Sequence, residues 1–423
     1  MTSTHDHPSH PRHAARRAAC VTAIEHGATW LAATAQISGP DQPFDDPKRY
    51  PHSDYTGSMR TEYDTRSKTW SLNGPAFHTG QAIRALLVAE RRLANTTFGE
   101  AATRGGAFLM RECIDDPGHP QNGLLLSLEQ NHDEINIQVT FEALSGLIDL
   151  FDATGDRAYL DATRESIDLL LDGAYLPDER LMKDHYSLGR RAFIGDGEND
   201  LPGRAMLDDA VLLRLADRTG ERRYREVFLA MADRLLEVEG PSGTWLRFPP
   251  WPPERGRIHG RKNWWWGWPL LAAHDATGDK RYLHGGKRAG DWYLEQQNLD
   301  GGLYYTPAPD GRHNSYGLCT SVVACAVLYW ADLWRRFGED RYQDGIRRGV
   351  GFILAAQFGD DVADSDVRGA FLEAPHPPDG SLAPGFLVRD IATVFAIRAL
   401  DAVLDIPGLV ETDSEWTDTT MAW

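Results

Sequence analysis

A short helix-ending turn recurs along the chain at intervals close to 60 residues. Its fullest copy is Thr277-Gly278-Asp279-Lys280-Arg281-Tyr282; similar turns contain Gly155, Gly220 and Gly338, and a weaker copy contains Gly99. The five glycines are separated by 56, 65, 58 and 60 residues. Glycine adopts the left-handed conformation that closes a helix, and the acid after it can cap the next helix. The repeat therefore predicts a series of helical hairpins.

The helices on the two sides of each turn differ in polarity. An apolar helix precedes the turn, and an amphipathic helix with Arg and Asp on one side follows it. An all-apolar helix is buried and an amphipathic one is half exposed, so the pattern predicts an inner ring of helices within an outer ring. The predicted inner helices include 137–152, 207–217 and 321–334, and the predicted outer helices include 159–171, 224–238 and 342–357.

Two helices remain after the five hairpins are formed. Residues 14–36 are amphipathic and suit the outer ring, whereas residues 388–403 are apolar and suit the inner ring. Pairing them closes the circle. We therefore expect an all-α (α/α)6 toroid of about twelve helices, with short strands in its loops. It would form one domain over residues 14–407, with a disordered N-terminal tail over 1–13 and a C-terminal tail over 408–423.

The connections at the two ends of the hairpins differ in length. Long, polar and aromatic-rich segments precede the inner helices, whereas the turns at the other ends are short. Functional loops are therefore expected to gather on one face, over the N-termini of the inner helices. Those N-termini carry partial positive charge, so the floor of the resulting cup suits anionic or hydroxyl-rich groups.

The net charge of the chain argues against some classes of binding partner. The chain has 44 Lys and Arg against 62 Asp and Glu, a formal net charge of −18. Proteins that bind nucleic acid need a basic surface, and an acidic chain is equally unsuited to an anionic membrane. There is no apolar run long enough to span a bilayer and no apolar secretion signal at the start. We expect a cytoplasmic protein that binds a small carbohydrate and neither nucleic acid nor membrane; its oligomeric state is left open.

Cysteine and glycine patterns give no sign of a metal or cofactor. The four cysteines are scattered and fit no zinc spacing, so reduced thiols are expected. No phosphate-cradling glycine loop follows a strand, so no nucleotide or redox cofactor is expected.

The loop before the third inner helix holds the densest group of acids. Crowded carboxyl groups in a cleft raise each other's pKa, which leaves one protonated near neutral pH, as cleavage of a glycosidic bond requires. We predict Asp200 or Asp208 as the proton donor. A partial calcium loop, or simple capping of the next helix, would also account for these acids. The group comprises Asp196, Glu198, Asn199, Asp200, Asp208 and Asp209, with Arg204 among them.

A second polar loop contains Asn131-His132-Asp133-Glu134. A histidine beside two acids near a cleft is a suitable acid–base group, and we predict that Asp133 or His132 assists the attacking water. A helix N-cap with a solvated histidine is the alternative interpretation.

Aromatic and basic residues precede the fourth inner helix, in the run Arg261-Lys262-Asn263-Trp264-Trp265-Trp266-Gly267-Trp268. Sugar rings stack on aromatic faces, and Arg, Lys and Asn bind hydroxyls or carboxylates. At helical spacing, at least two of these tryptophans must point into the core. The predicted substrate-binding residues are His78, Arg204, Arg261, Lys262, Trp264, Trp265 and Tyr316; Gln81, Asn314, Arg389 and Asp390 are further cup candidates.

This fourth hairpin resembles that of the six-hairpin glycosidases, in particular the unsaturated glucuronyl and rhamnogalacturonyl hydrolases. Their Trp-x-Arg-Gly-x-x-x-Trp, before a helix ending in Thr-Gly-Asp, is similar to residues 259–266 and the turn at Gly278. Arg261 falls on the family's arginine and Trp265 near its aromatic residue, while His259 and Lys262 replace its Trp and Gly. The resemblance implies a toroid that hydrolyses a short oligosaccharide, for which a uronic-acid-containing sugar is a candidate; cleavage as a lyase is the alternative.

The family's catalytic positions match less closely. Its aspartate near the start of the third inner helix falls on Gly203 or Arg204 here, with Asp200 and Asp208 one turn to either side. Its His-Asp pair in the second hairpin is similar to His132-Asp133, about one turn earlier along the chain.

Three other classes share parts of this pattern. Isomerases like N-acylglucosamine 2-epimerase have a Lys-x-Trp-Trp that resembles residues 262–265; isomerisation needs paired proton-transfer groups, for which His78 and His132 are the candidates. Terpene-cyclase-like proteins have glutamine–aromatic repeats similar to residues 292–302 and 348–357, but the Asp-x-Asp-Asp motif is absent from this sequence. An inactive sugar-binding toroid is the remaining alternative.

Overall fold

The computed structural model describes residues 11–46, 54–129, 133–195, 201–240, 243–248, 258–306, 317–374, 387–407 and 409. These residues contain twelve α-helices. They are α1 Pro11–Thr29, α2 Pro75–Leu93, α3 Thr96–Arg111, α4 Ile137–Thr154, α5 Arg157–Gly173, α6 Val211–Thr219, α7 Arg222–Glu237, α8 Lys262–Thr277, α9 Lys280–Gln296, α10 Thr320–Phe337, α11 Asp340–Ala355 and α12 Asp390–Leu404. A π-helical segment, Trp30–Ala35, continues α1, and a 3-10 turn, Asp208–Ala210, precedes α6.

The helices form the predicted double ring. Helices α2, α4, α6, α8, α10 and α12 are the inner members, and α3, α5, α7, α9 and α11 pack beside the helices that they follow. Helix α12 packs against α1, α10 and α2, which closes the circle. The buried residues of α4 run almost without interruption from Ile137 to Leu150, whereas α5 buries one face only. The prediction of an all-α (α/α)6 toroid is confirmed.

Four of the five predicted turns have the expected backbone. Gly155, Gly220, Gly278 and Gly338 have φ values of 74°, 77°, 76° and 65°, all in the left-handed region that favours glycine. Asp279 caps α9 by accepting a hydrogen bond from the Arg281 backbone, and Asp156 caps α5 in the same way.

The turn predicted at Gly99 is wrong. Gly99 lies inside α3, and the chain turns earlier, at Ala94, whose φ is 53°. The Asn95 side chain accepts a hydrogen bond from the Thr97 backbone and so caps α3. An asparagine cap can start a helix before the glycine of the repeat is reached, and here it does.

The tyrosine after each turn connects neighbouring outer helices. Tyr224 donates to Asp168, Tyr282 to Asp233 and Tyr342 to Asp291, with oxygen–oxygen distances of 2.8, 2.9 and 2.6 Å. In each case the acceptor lies on the previous outer helix. The repeat motif thus encodes a chain of hydrogen bonds around the outer ring as well as the turn itself.

Short strands occupy the connections that precede the inner helices. They are β1 Glu62–Asp64, β2 Thr69–Ser71, β3 Glu134–Asn136, β4 Tyr175–Leu176, β5 Leu181–Met182, β6 His185–Ser187, β7 Ala192–Ile194 and β8 Leu387–Arg389. One antiparallel sheet has the order β2-β1-β8, with Glu62 opposite Arg389, and another has the order β3-β6-β7. Because β8 leads directly into α12 and β3 into α4, the strands fix loops over the N-termini of the inner helices.

Candidate functional site

Two buried carboxyl groups lie beside each other between the inner helices. Glu142 is one helical turn after Gln138 on α4, and the Gln138 amide Nε2 donates to Asp208 Oδ1 at 3.0 Å. Glu142 is 6% exposed and Asp208 is 1% exposed. Among the described residues, none forms a hydrogen bond with the Glu142 carboxyl or with Asp208 Oδ2. We call Glu142 and Asp208 the carboxyl pair.

The carboxyl pair retains a proton near neutral pH. Burial and then the charge on Asp209 raise the pKa of Asp208 to about 7. Burial, followed by the charges on Asp208 and Asp209, raises the pKa of Glu142 well above its usual range. Since the charge on Asp208 also raises the pKa of Glu142, the protonation of the two groups is linked. A protonated carboxyl at this pH can act as a general acid.

Asp209 behaves in the opposite way to its neighbour in the sequence. Burial alone would raise its pKa, but Arg84 and then Arg398 outweigh burial and lower the pKa to about 2. The backbone separates the two acids: Asp209 and Ala210 have φ values of 50° and 52°, both left-handed. Such a conformation is costly for residues other than glycine, and it directs the carboxyl groups of Asp208 and Asp209 to different partners.

A histidine–aspartate dyad lies at the N-termini of two inner helices. His78 is in the first turn of α2, and Asp390 is the first residue of α12. His78 Nδ1 is 2.5 Å from Asp390 Oδ1, and both side chains are buried. No described residue forms a hydrogen bond with His78 Nε2. The aspartate orients the ring so that Nε2 is available for proton transfer.

Arg261 lies at the start of α8 in a polar cluster. Its Nη1 donates to Ser321 Oγ at 3.2 Å and lies 4.0 Å from Glu373 Oε1. Ser321 Oγ in turn donates to Glu373 Oε1 at 2.7 Å. The guanidinium carbon is 5.8 Å from the centre of the half-buried Trp265 ring. Arg261 and Trp265 thus form one surface that can offer a sugar both hydrogen bonds and an aromatic face.

The neighbouring tryptophans face the interior. Trp264 is 5% exposed and stacks on Trp268, with ring centres 4.9 Å apart. Trp266 is fully buried and donates to the Ala205 carbonyl. The expectation that at least two tryptophans of this run enter the core is confirmed, and Trp265 is the one beside Arg261.

Lys262 and Arg204 make contacts inside the protein. Lys262 is fully buried, its Nζ donates to the Phe248 carbonyl, and burial, together with the charge on Arg204, lowers its pKa to about 7. Arg204 Nε is 2.7 Å from Asp184 Oδ1, and its Nη1 donates to Gln138 Oε1 at 2.8 Å. Arg204 therefore orients the amide that donates to the carboxyl pair.

Only some of the remaining predicted residues lie in the part of the chain that the structure describes. Asp133 is exposed, and its backbone carbonyl accepts from Leu188 at 2.8 Å. Asp200, His132 and Tyr316 lie outside the described residues, as does the possible calcium loop at 196–200. The roles assigned to all of these side chains stay predictions.

Sequence reasoning missed Glu142 and Glu373. Glu142 lies in the predicted apolar helix 137–152 and is the one acid in the continuously buried stretch from Ile137 to Ile148, and a buried acid needs a reason. Gln138, one turn earlier on the same face, was the accompanying signal. Glu373 follows α11 in a loop, and nothing in its local sequence connects it with Arg261.

The described residues contain neither a metal-ligating group nor a membrane-spanning helix. No group of three or more His, Cys, Asp or Glu side chains there is arranged to hold a metal ion. Nor is any helix in that part of the chain long and apolar enough to cross a membrane.

Comparison with known proteins identifies the fold. No model of a protein family matches the sequence, and no curated protein does. Among solved structures, cellobiose 2-epimerase from Spirochaeta thermophila is 16% identical with a TM-score of 0.66, over 93% of this chain and 98% of that one. A D-mannose isomerase is 13% identical with a TM-score of 0.67, over 95% and 99% of the two chains.

A hydrolase has the same architecture. The unsaturated glucuronyl hydrolase from Streptococcus agalactiae is 13% identical with a TM-score of 0.63, and the match covers 95% of this chain and 94% of that one. Epimerases, isomerases and hydrolases are thus similar to this chain over nearly its whole length. The chain shares the (α/α)6 toroid fold of these solved structures.

Proposed function

We propose that this protein is a carbohydrate-processing enzyme whose cup performs acid–base chemistry, and that the reaction is hydrolysis of a glycosidic bond in a short oligosaccharide. The observation that carries the proposal is the carboxyl pair, in which burial and the charges of neighbouring carboxylates raise both pKa values, that of Asp208 to about 7. Hydrolysis needs such a donor because the leaving oxygen must be protonated as its bond to the anomeric carbon breaks.

The described side chains can supply each part of that reaction. The carboxyl pair donates its proton to the glycosidic oxygen. His78 Nε2, oriented by Asp390, removes a proton from water, and the hydroxyl oxygen bonds to the anomeric carbon. Trp265 stacks on the sugar, and Arg261 binds its hydroxyls or, in a uronic acid, its carboxylate.

Isomerisation or epimerisation is the second candidate, and the His78–Asp390 dyad is the observation that favours it. In an open-chain sugar, His78 Nε2 would remove the proton on the carbon next to the carbonyl, and the carboxyl pair would protonate the carbonyl oxygen to give an enediol. Return of a proton to the opposite face of the same carbon, with the oxygen's proton going back to the carboxyl pair, gives the epimer; return of a proton to the former carbonyl carbon, with loss of the neighbouring hydroxyl proton, gives the isomer. The cellobiose 2-epimerase and the D-mannose isomerase of similar fold support this alternative.

Labelled water distinguishes the two reactions. The protein is incubated with unsaturated uronides, neutral disaccharides and N-acylhexosamines in H2(18)O and, separately, in D2O, and the products are analysed by mass spectrometry. Hydrolysis predicts smaller products that carry one oxygen-18. Epimerisation predicts an isomer of unchanged size that carries one carbon-bound deuterium. Cleavage without oxygen-18 indicates a lyase, and absence of any product across the panel contradicts the proposal.

A further inference from the structure

A network of charged side chains lies between the inner helices, on the side of Asp209 away from the carboxyl pair. Arg84 of α2 lies 2.5 Å from Asp209 Oδ2 and donates through Nε to Asp149 Oδ2 at 3.1 Å. Arg214 of α6 binds the other oxygen of Asp149. Arg398 of α12 lies 3.9 Å from Asp209 Oδ1. Arginines from α2 and α12 thus meet around Asp209, while Arg84 and Arg214 share Asp149 of α4.

Gln81 completes the surroundings of Asp209. Its Nε2 donates to Asp209 Oδ2 at 3.0 Å and to the Glu142 carbonyl at 3.2 Å, while its Oε1 accepts from Arg398 Nη1 at 3.0 Å. Asp209 therefore receives only donors and cations, all of which favour its ionised form. The left-handed backbone at Asp209 keeps its carboxylate within this network while Asp208 remains beside Gln138.

The network can be reached from the face opposite the cup. A pocket of about 570 Å³ is lined by Arg84, Asp149 and Arg398 together with residues from the C-terminal halves of α2 and α4. The lining includes Arg84 and Arg398, which face Asp209, but neither member of the carboxyl pair. Of the charged groups that line the pocket, Arg84 is paired with Asp149, and Asp152 is paired with Arg218.

We propose that Arg84 is a positioning residue for the acid–base chemistry: it fixes the negative charge of Asp209, and that charge keeps a proton on the carboxyl pair. The inference rests on the proposed function of the pair, but the protonation itself does not depend on a substrate. The other charged groups that act on these acids are Arg398 and, at longer range, Arg214 at Asp209, Arg204 at Asp208, and Arg261 and Glu129 at Glu142.

The pKa shifts of Asp208 and Asp209 agree with the contacts of Arg84. Against the effect of burial, Arg84 is the leading cause that lowers the pKa of Asp209. The charge on Asp209 is, after burial, the leading cause that raises the pKa of Asp208. Without Arg84, Asp209 would compete for the proton that the carboxyl pair otherwise holds.

The first test measures protonation without a substrate. Infrared spectra recorded across a pH series give the protonated-carboxyl band of Asp208 as the difference between each protein and the same protein with Asp208→Asn. Arg214→Met is the matched control, because Arg214 forms its ion pairs with Asp149 and Asp152 and acts on Asp209 only through longer-range charge. We expect Arg84→Met to weaken the Asp208 band at pH 7, and Arg214→Met and Arg84→Lys to retain it. Equal bands in Arg84→Met and Arg214→Met would overturn the proposal.

The second test asks whether Arg84 acts through Asp209. We expect Arg84→Met to lower kcat at pH 7 by about tenfold, which is the effect of one pKa unit. In an Asp209→Asn background the same change should alter kcat by less than about twofold, since the charge that Arg84 fixes is gone. An equal loss in both backgrounds would mean that Arg84 has only a structural role, and would overturn the proposal.

The infrared test and the kinetic test distinguish failure of this proposal from failure of the proposed function. If no carbohydrate is turned over, the infrared series still decides whether Arg84 controls the proton. Should Arg84→Met fail to fold by circular dichroism, Asp209→Asn decides instead: we expect its Asp208 band to disappear at a pH about one unit lower than in the wild type. A band unchanged in Asp209→Asn would contradict the proposal.

Discussion

At the scale of single residues, the candidate site depends on two adjacent aspartates whose pKa values are shifted in opposite directions. Burial and the charge on Asp209 raise the pKa of Asp208 to about 7, whereas Arg84 and Arg398 outweigh burial and lower the pKa of Asp209 to about 2. The difference arises from partners and not from burial, since Asp208 is bound by a neutral amide and Asp209 by a guanidinium. A local sequence of two acids contains no information on which one meets the arginine.

The raised pKa of Asp208 predicts a cost in stability. A carboxyl whose folded pKa is above its unfolded value stabilises the fold fully at low pH, and that contribution is lost as pH rises through about 7. Asp208→Asn keeps the hydrogen bond from Gln138 and removes the charge. We therefore expect the variant to be more stable than the wild type at pH 8, by on the order of 1–3 kcal/mol.

Urea unfolding at pH 4 and pH 8 checks this prediction. The difference in unfolding free energy between the wild type and Asp208→Asn should nearly vanish at pH 4, where Asp208 is protonated in the folded state and in much of the unfolded ensemble. A variant that is less stable than the wild type at both pH values would contradict the assignment of a protonated Asp208.

At the scale of helices and turns, the repeat predicted most of the structure. The glycine turns and the alternation of apolar and amphipathic helices gave the double ring, because both features follow from local backbone and burial requirements. The prediction failed at Gly99, where Asn95 offered a better cap. It also could not find Glu142, because an acid on an apolar helix joins a site only through long-range packing.

The turn glycines offer a matched test of backbone conformation. A Cβ added at Gly278 or at Gly189 would meet no atom within 4 Å, but only Gly278 has a positive φ, of 76°. Gly278→Ala should therefore destabilise the fold by about 1–2 kcal/mol, the cost of a left-handed alanine. Gly189→Ala, the control, should be neutral or slightly stabilising. Equal unfolding free energies for the two variants would show that the turn does not require glycine.

The tyrosines of the repeat allow a second test at this scale. Tyr282→Phe removes one hydrogen bond, to Asp233, and should lower the free energy of unfolding by about 1 kcal/mol. Tyr175→Phe is the control, since no described residue forms a hydrogen bond with its hydroxyl. Chemical denaturation measures both. A loss no larger in Tyr282→Phe than in Tyr175→Phe would argue against a connected outer ring.

At the scale of the whole molecule, the closed ring brings together residues that are far apart in the sequence. The His78–Asp390 contact joins the first and last inner helices, and it exists only because α12 packs against α2. Glu373 and Arg261 meet in the same way across α10. The sequence therefore predicts the toroid and the position of its cup, while the pairing of the candidate catalytic groups depends on closure of the ring.

The carboxyl pair is proposed to supply the general acid for a reaction of a sugar. The most direct measurement is kcat for the sugar that the labelled-water panel identifies, in Glu142→Gln, Asp208→Asn and the exposed control Asp161→Asn. We predict that each of the first two variants loses about a hundredfold or more, the usual contribution of a general acid, while the control keeps wild-type turnover. Full turnover in Glu142→Gln and Asp208→Asn, with both folded, would contradict the account.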